Sequence, residues 1–478
     1  MIAPARVAAL QALLAVAAGG QDLASALEQS RTRLSDPRDR ALATDIVTGV
    51  ERWRATLDHL ITTFARRRLD RLDAEVVAVL RLSAYQLLHL TRVPAAAVVD
   101  DAVNLAGKAG KKSARGFVNA VLRAIARSRH QLPLPPRPVN PEADREATLA
   151  YLSVTLSHPR WLVARWLTRY GFAATEQWLQ FNNAAPPLSL RVNRLRTTRD
   201  HLEQELREIG VDATRGRYAP HCLIIQRGDR LQRGDRAPRA DRDQADDLET
   251  LNASFVVQDE SSQLVTLLAG AHPGHRVLDT CASPGGKTTA LAADLSASDR
   301  IVACDVRDRR VQLLRRTLSL AGAQRVHVVQ ADLLSPLPFT PVFDCVFVDA
   351  PCSGLGTLRR DPDIKWRRDE AHLAALAAAQ RTMLTNAAAL VVPGGRLIYA
   401  TCSSEPEEND AVAEAFAQSS AFERVDARTV HPQLPAAVVD ATGALRTTPS
   451  EHGLEAFFGV VFRRPGRGAA VPATSGNL

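Results

Sequence analysis

The sequence predicts a multidomain protein: an all-α bundle in front, a small α+β unit in the middle and a doubly wound α/β domain behind. Three observations predict it. A chain of 478 residues exceeds what one ordinary core holds, so several domains are expected. Residues 1–130 carry their apolar side chains at helical spacing throughout. From residue 250 onward, short apolar runs alternate with helical stretches, which is the pattern of a mainly parallel sheet.

In the first segment, Val7, Leu10, Leu13 and Leu14 form one helical stripe, and Ile46, Val50, Trp53, Leu57, Leu60 and Ile61 another. Asp73 precedes AEVVAVLRLSAYQLLHL as an expected N-cap, and Pro94 opens a further helix through Val98, Val99, Val103 and Leu105. GKAGKKSARGFVNAVLRAIARSR closes the bundle. QLPLPPRPVNP then marks a proline-rich linker over 131–145. The middle unit, 146–249, starts with helix around Trp161, Trp166 and Trp178 and goes on as strand (LSLRVN), helix (HLEQELREIG) and strand (HCLIIQ). Its charged 227–247 stretch repeats RGDR and is expected to be a flexible insertion. The α/β domain spans 250–465. RVLDTC, RIVACD, RVHVVQAD, FDCVFVDAP and GRLIYATCS are its expected strands, with AFFGVVFRR as an edge strand, and 466–478 is a flexible tail.

Residues 1–130 hold 20 Lys and Arg against 12 Asp and Glu, so the whole net charge of +8 resides there. A basic front module suggests contact with a polyanion, and a solubilising surface is the bland alternative. The six cysteines include no C-x-x-C pair and no histidine at ligand spacing, so no metal centre is expected. The first 20 residues superficially resemble a signal peptide, but Gln11 interrupts the apolar run, and an amphipathic helix is expected instead. No run of 18 apolar residues occurs. The expected setting is therefore a reducing cytoplasm, with thiols available for chemistry.

Candidate site residues all fall at the carboxyl ends of expected strands, where ligands of such sheets bind. Cys281-Ala282-Ser283-Pro284-Gly285-Gly286-Lys287-Thr288 follows RVLDT, and its glycines admit close backbone approach at a helix start. A phosphate-binding P-loop would need glycine at position 281, where a cysteine stands. Asp305 could accept from ribose hydroxyls and Asp332 from an adenine amino group. Alone each is more often a cap or a surface turn. Together with the loop they outline a nucleoside pocket that suits a dinucleotide, ATP or S-adenosylmethionine. Asp349 and Cys352 end one strand and Cys402 ends another. Two thiols and an acid suit attack on a pyrimidine: a thiolate adds at carbon 6, and carbon 5 becomes nucleophilic. Small buried residues or a redox pair are the competing readings.

The motifs D-x-C-A-S-P-G-G-K-T, VDAPCSG-x-G, RRDPDIKW and ATCS together resemble those of the RNA cytosine-C5 methyltransferases. The bundle ending in FVNAVLR resembles the NusB-type domain of antitermination factors. The combination is similar to bacterial small-subunit rRNA methyltransferases. This resemblance implies a Rossmann-like catalytic domain and a cytosine of 16S rRNA as target. It places S-adenosylmethionine on Cys281, Ala282, Ser283, Pro284, Gly285, Gly286, Lys287, Asp305, Asp332 and Asp349. It makes Cys402 the nucleophile and gives Cys352 a part in product release, whereas residue chemistry alone leaves these two roles open. It also sets Arg310, Lys365 and Trp366 around the pocket and matches QDESSQ (258–263) to a family motif. The text before Phe457 and Phe458 departs from the family pattern. The expected form is a monomer with no obligate protein partner. A tRNA-directed enzyme, a non-catalytic RNA-binding factor and a P-loop ATPase are the rival functions.

Overall fold

A computed structural model describes residues 2–90, 93–226, 251 and 253–466. The expected RGDR-rich insertion and the tail beyond residue 466 lie outside them. The chain forms two units, Met1–Ala185 with Leu358–Glu370, and Pro186–Thr357 with Ala371–Leu478.

The first unit is helical. Its bundle runs through Pro4–Ala17, Leu23–Arg31, Pro37–Arg52, Arg54–Ala65, Ala74–His89, Ala95–Lys108 and Arg115–Ser128. Asp22 and Asp36 cap two of these by accepting from the N–H groups of Ser25 and Arg38. Asp73 stands at its expected place but does not cap; its carboxylate lies 3.3 Å from the Lys111 ammonium. Ile46, Val47, Val50, Leu57, Ile61, Val79, Leu80 and Leu122 form the bundle core. Gly49 is fixed by packing, since a Cβ there would lie 2.0 Å from the Tyr85 ring.

Lys365 and Trp366, which the resemblance sets around the pocket, are seated in the segment Leu358–Glu370 of the helical unit. Lys365 is 1% exposed and donates to the carbonyls of Arg52 (2.9 Å) and Ser157 (2.7 Å). Trp366 Nε1 donates to Glu51 O at 2.6 Å. Glu51 and Arg52 end the helix Pro37–Arg52, whose last carbonyls lack intrahelical donors. The buried lysine amine, which burial holds well below the ordinary lysine range, and the indole supply those donors. His158, buried nearby, accepts at Nε2 from Asn182 and donates from Nδ1 to Leu156 O, so it is neutral. Burial and the neighbouring Lys365 hold it well below the ordinary histidine range.

The second unit holds two sheets. The small one has strands β1 (Leu188–Val192), β2 (Ala213–Arg215), β3 (Cys222–Ile225) and β4 (Phe255–Val257) in the antiparallel order β2-β3-β1-β4. The large one comprises β5 (Val277–Asp279), β6 (Ile301–Asp305), β7 (Val326–Gln330), β8 (Phe343–Asp349), β9 (Val391–Thr401), β10 (Glu423–Val425), β11 (Leu445–Thr447) and β12 (Phe457–Arg463). Its order is β10-β12-β9-β8-β5-β6-β7, with β11 also paired to β12. The run β9-β8-β5-β6-β7 is parallel. AFFGVVFRR is not an edge strand: β12 pairs antiparallel with β9, β10 and β11. Its residues Phe457 through Phe462 are buried, so both faces are covered, as a continuous apolar run allows.

Candidate active site

The loop after β5 is held by its neighbours. The Ala282 N–H donates to Cys304 O at 2.8 Å, and the Ser283 N–H donates to Asp305 Oδ2 at 3.1 Å. Arg310 donates to that same oxygen and to Ser283 O. Gly285 has φ +110° and starts the helix Gly286–Ala293; a Cβ there would lie 3.0 Å from Leu314. From below, buried Arg191 of β1 donates to Gly286 O, Thr289 Oγ1 and Gln258 Oε1. Beside the loop is a cavity of about 280 Å³, with Val256, Gln258, Asp279, Cys281–Pro284, Gly286, Lys287, Thr317 and Asp349 in its lining. Asp279 takes a bond from Thr288, while its Oδ1 is buried with no hydrogen bond of standard geometry. Burial pushes Asp279 up to about 7. An apolar wall, a glycine approach and a buried acid in the lining fit a nucleoside carrying polar groups.

The thiols come from β8 and β9. These strands are parallel neighbours with Asp349 opposite Ala400, so the segments beyond them leave the sheet side by side. Cys352 Sγ lies 3.3 Å from Cys402 Sγ. The backbone joins the two segments as well, since Gly356 N–H donates to Cys402 O at 3.0 Å, and Ala456 N–H, just before β12, donates to Gly356 O at 3.1 Å. Cys352 is held well above the usual thiol range, first by its hydrogen bond to Cys402 and then by burial, so it keeps its proton. Lys287 donates to Asp349 Oδ2 at 2.6 Å. Burial opposes its charge, but Asp349 outweighs that and raises Lys287, with Cys402 adding to the same field.

The geometry thus brings together Cys352 with Cys402, Lys287 with Asp349, and Cys281–Pro284, Gly286 and Lys287 with Asp349 in one cavity lining, of which Gly285, Cys352 and Cys402 are not part. Asp305 lies behind the loop, nearly buried, and is occupied by Ser283 and Arg310. Asp332 is exposed, accepts from the N–H of Leu334 and is absent from the lining. Within QDESSQ, Asp259 caps the helix Glu260–Leu267, and Gln258 joins Arg191 to Ser262. Phe457 sits beneath the Lys287 ammonium, 5.8 Å from its ring centre. Two contributors had escaped the sequence reading. Arg191 was legible only as a charge inside an apolar strand, and Glu408 was hidden in the acidic run SSEPEEND.

Residues 265–463 match the 16S rRNA methyltransferase RsmB/F family, residues 3–127 the NusB family and residues 158–232 the RsmF/B-like ferredoxin-like domain. The ribosomal RNA small subunit methyltransferase B of Pseudomonas syringae pv. tomato is 34% identical over 452 residues, covering 92% of both chains. The chain belongs to the RsmB/F family. The probable RsmB of Bacillus subtilis is 30% identical over 438 residues, covering 91% of this chain and 92% of that one. The solved structure of PH0851 aligns with a TM-score of 0.77 at 24% identity, covering 97% of this chain and 99% of that one, and shares the fold. As an RsmB/F member the chain is an S-adenosylmethionine-dependent methyltransferase with a NusB-like helical unit in front. No helix among the described residues is long and apolar enough to cross a membrane.

Proposed function

We propose that this protein methylates carbon 5 of a cytosine in 16S rRNA through a covalent bond between Cys402 and carbon 6. The observation that carries this reading is the 3.3 Å approach of the Cys352 and Cys402 sulfurs at the ends of adjacent strands. S-adenosylmethionine, bound along Cys281–Lys287, supplies an electrophilic methyl group. Cys402 adds to carbon 6 and the electron pair of the 5,6 double bond shifts onto the ring, while the Asp349 carboxylate accepts from the N4 amino group and orients the base. Carbon 5 then takes the methyl as its bond to the sulfonium breaks and S-adenosylhomocysteine is left; the carbon-5 proton passes to solvent water, and Cys402 departs with the electron pair of the breaking carbon–sulfur bond. Cys352, protonated and adjacent to the departing sulfur, assists that release. Asp305 acts by holding the loop backbone, and Lys287 by fixing Asp349.

A base inside a stack cannot reach these thiols, so the cytosine must be flipped out or single-stranded. The helical unit is the proposed RNA grip. Among the basic residues of this unit, Arg68 pairs with Asp70, and Lys111 with Asp73 and Glu75. A groove of about 890 Å³ between the helices Ala95–Lys108 and Arg115–Ser128 is a better phosphate surface. Arg115, Arg123, Arg127 and Arg129 line it exposed, and none makes a carboxylate ion pair among the described residues.

The test is transfer of labelled methyl to 16S rRNA, with tRNA as a second substrate and bisulfite mapping of the product. Wild-type protein is expected to modify a cytosine of the rRNA and Cys402→Ala none. Undiminished incorporation by Cys402→Ala would refute the proposal, and preferential labelling of tRNA would move the substrate.

A further inference from the structure

The segments bearing the two thiols meet again below the sulfurs, on one carboxylate. Glu408 is 0% exposed. Its Oε1 accepts from the Ser353 N–H at 2.8 Å and from Gln380 Nε2 at 3.0 Å. Its Oε2 accepts from Ser403 Oγ at 2.6 Å. Ser353 directly follows Cys352 and Ser403 directly follows Cys402, and their hydroxyls lie 3.1 Å apart. Gln380 also donates to Pro351 O, on the other side of Cys352. The Tyr399 hydroxyl donates to Glu408 O, and Asn409 beside it donates to Ser403 O. A buried anion is tolerated only where donors surround it, and here every donor to the carboxylate comes from a thiol segment or from the glutamine that braces one.

We propose that Glu408 is a positioning residue that sets the spacing of Cys352 and Cys402 by tying Ser353 and Ser403 to a single carboxylate. It touches neither sulfur, and its effect on catalysis rests on the cytosine-C5 reading above. Glu408→Ala removes three hydrogen bonds at once and frees the segments to separate. Glu408→Gln keeps an oxygen for Ser353 and Gln380, and its amide donates to Ser403 once that hydroxyl turns toward Ser353.

The decisive readout does not depend on methylation. Phenylarsine oxide bridges two sulfurs only when they are close: both thiols lose their protons, the arsenic–oxygen bond is replaced by two arsenic–sulfur bonds, and water leaves. Bridging is followed on the full chain by mass spectrometry, together with S-adenosylmethionine affinity, KM and kcat. The expected result for Glu408→Ala is at least tenfold weaker bridging and about 100-fold lower kcat, with S-adenosylmethionine affinity and RNA KM within threefold. Glu408→Gln is expected to recover bridging to within threefold and most of kcat. Wild-type bridging and kcat in Glu408→Ala would overturn the proposal. Should Glu408→Ala no longer bind S-adenosylmethionine, Ser403→Ala decides instead: it removes one bond, and bridging weakened threefold or more supports the assignment while wild-type bridging overturns it. An active Cys402→Ala would defeat the methylation chemistry but leave the bridging result standing.

Discussion

Gly356 is where the account is most exposed to a single methyl group. A Cβ at this position would lie 2.1 Å from Ala456 O and 2.7 Å from Cys402 O, against an ordinary carbon–oxygen contact of about 3.3–3.6 Å. Both obstacles are backbone, so the segments must part by roughly 1 Å. Two backbone hydrogen bonds, from Gly356 to Cys402 and from Ala456 to Gly356, are then weakened, at about 1 kcal/mol each. Overpacking adds about 1–3 kcal/mol. A loss near 3 kcal/mol lowers the midpoint of a unit this size by roughly 6–12 °C. A displacement of about 1 Å between reacting groups costs about 100-fold in rate. Gly356→Ala is therefore expected to lower both the S-adenosylmethionine-responsive melting transition and kcat. A transition within 2 °C of wild type, with kcat within twofold, would refute the claim that backbone contact spaces the thiol segments.

Other consequences follow from charge. Lys287→Met leaves Asp349 without its ion-pair partner in the cavity wall and should weaken S-adenosylmethionine binding at least tenfold, about 1.4 kcal/mol by calorimetry; an unchanged Kd contradicts the assignment. His158 is neutral in the fold, whereas the unfolded chain takes up its proton near pH 6.5. The unfolded state then binds more protons, so the helical unit's stability is complete above that pH and falls as the pH drops below it, by up to about 1.4 kcal/mol per unit. Thermal melts should show this slope reduced in His158→Gln, and parallel curves would argue against it. Replacing Arg123 and Arg127 by Glu should raise the RNA KM and flatten the salt dependence of binding by about 0.7 per lost phosphate contact. A salt slope equal to wild type would remove the groove from the RNA path.

How much of this was legible in the chain depends on the range of each interaction. The parallel strands were, because their apolar runs and polar ends are local, and Asp349, Cys352 and Cys402 stand at such ends. The neighbours of β12 were not, since a fully buried run does not say what lies beside it. Lys365 and Trp366 follow the Cys352 segment in sequence, yet the carbonyls that bind them belong to residues 51, 52 and 157, more than 200 positions away. Asp332 stands at the predicted strand end, where one carboxylate oxygen accepts from the N–H of Leu334, a local turn that a short acidic side chain makes readily. Glu408 stands in the acidic run SSEPEEND, which carries no local signal of burial, and only the fold reveals that its carboxylate is enclosed by donors.

The central claim is that Cys402 bonds to the cytosine and Cys352 helps to release it. Cys352→Ala protein can be incubated with S-adenosylmethionine and 16S rRNA, denatured, and the RNA-linked peptide sequenced. The account predicts an accumulated adduct whose attached residue is Cys402. An adduct through another residue in the wild-type protein, or full turnover by Cys352→Ala with none trapped, would contradict it.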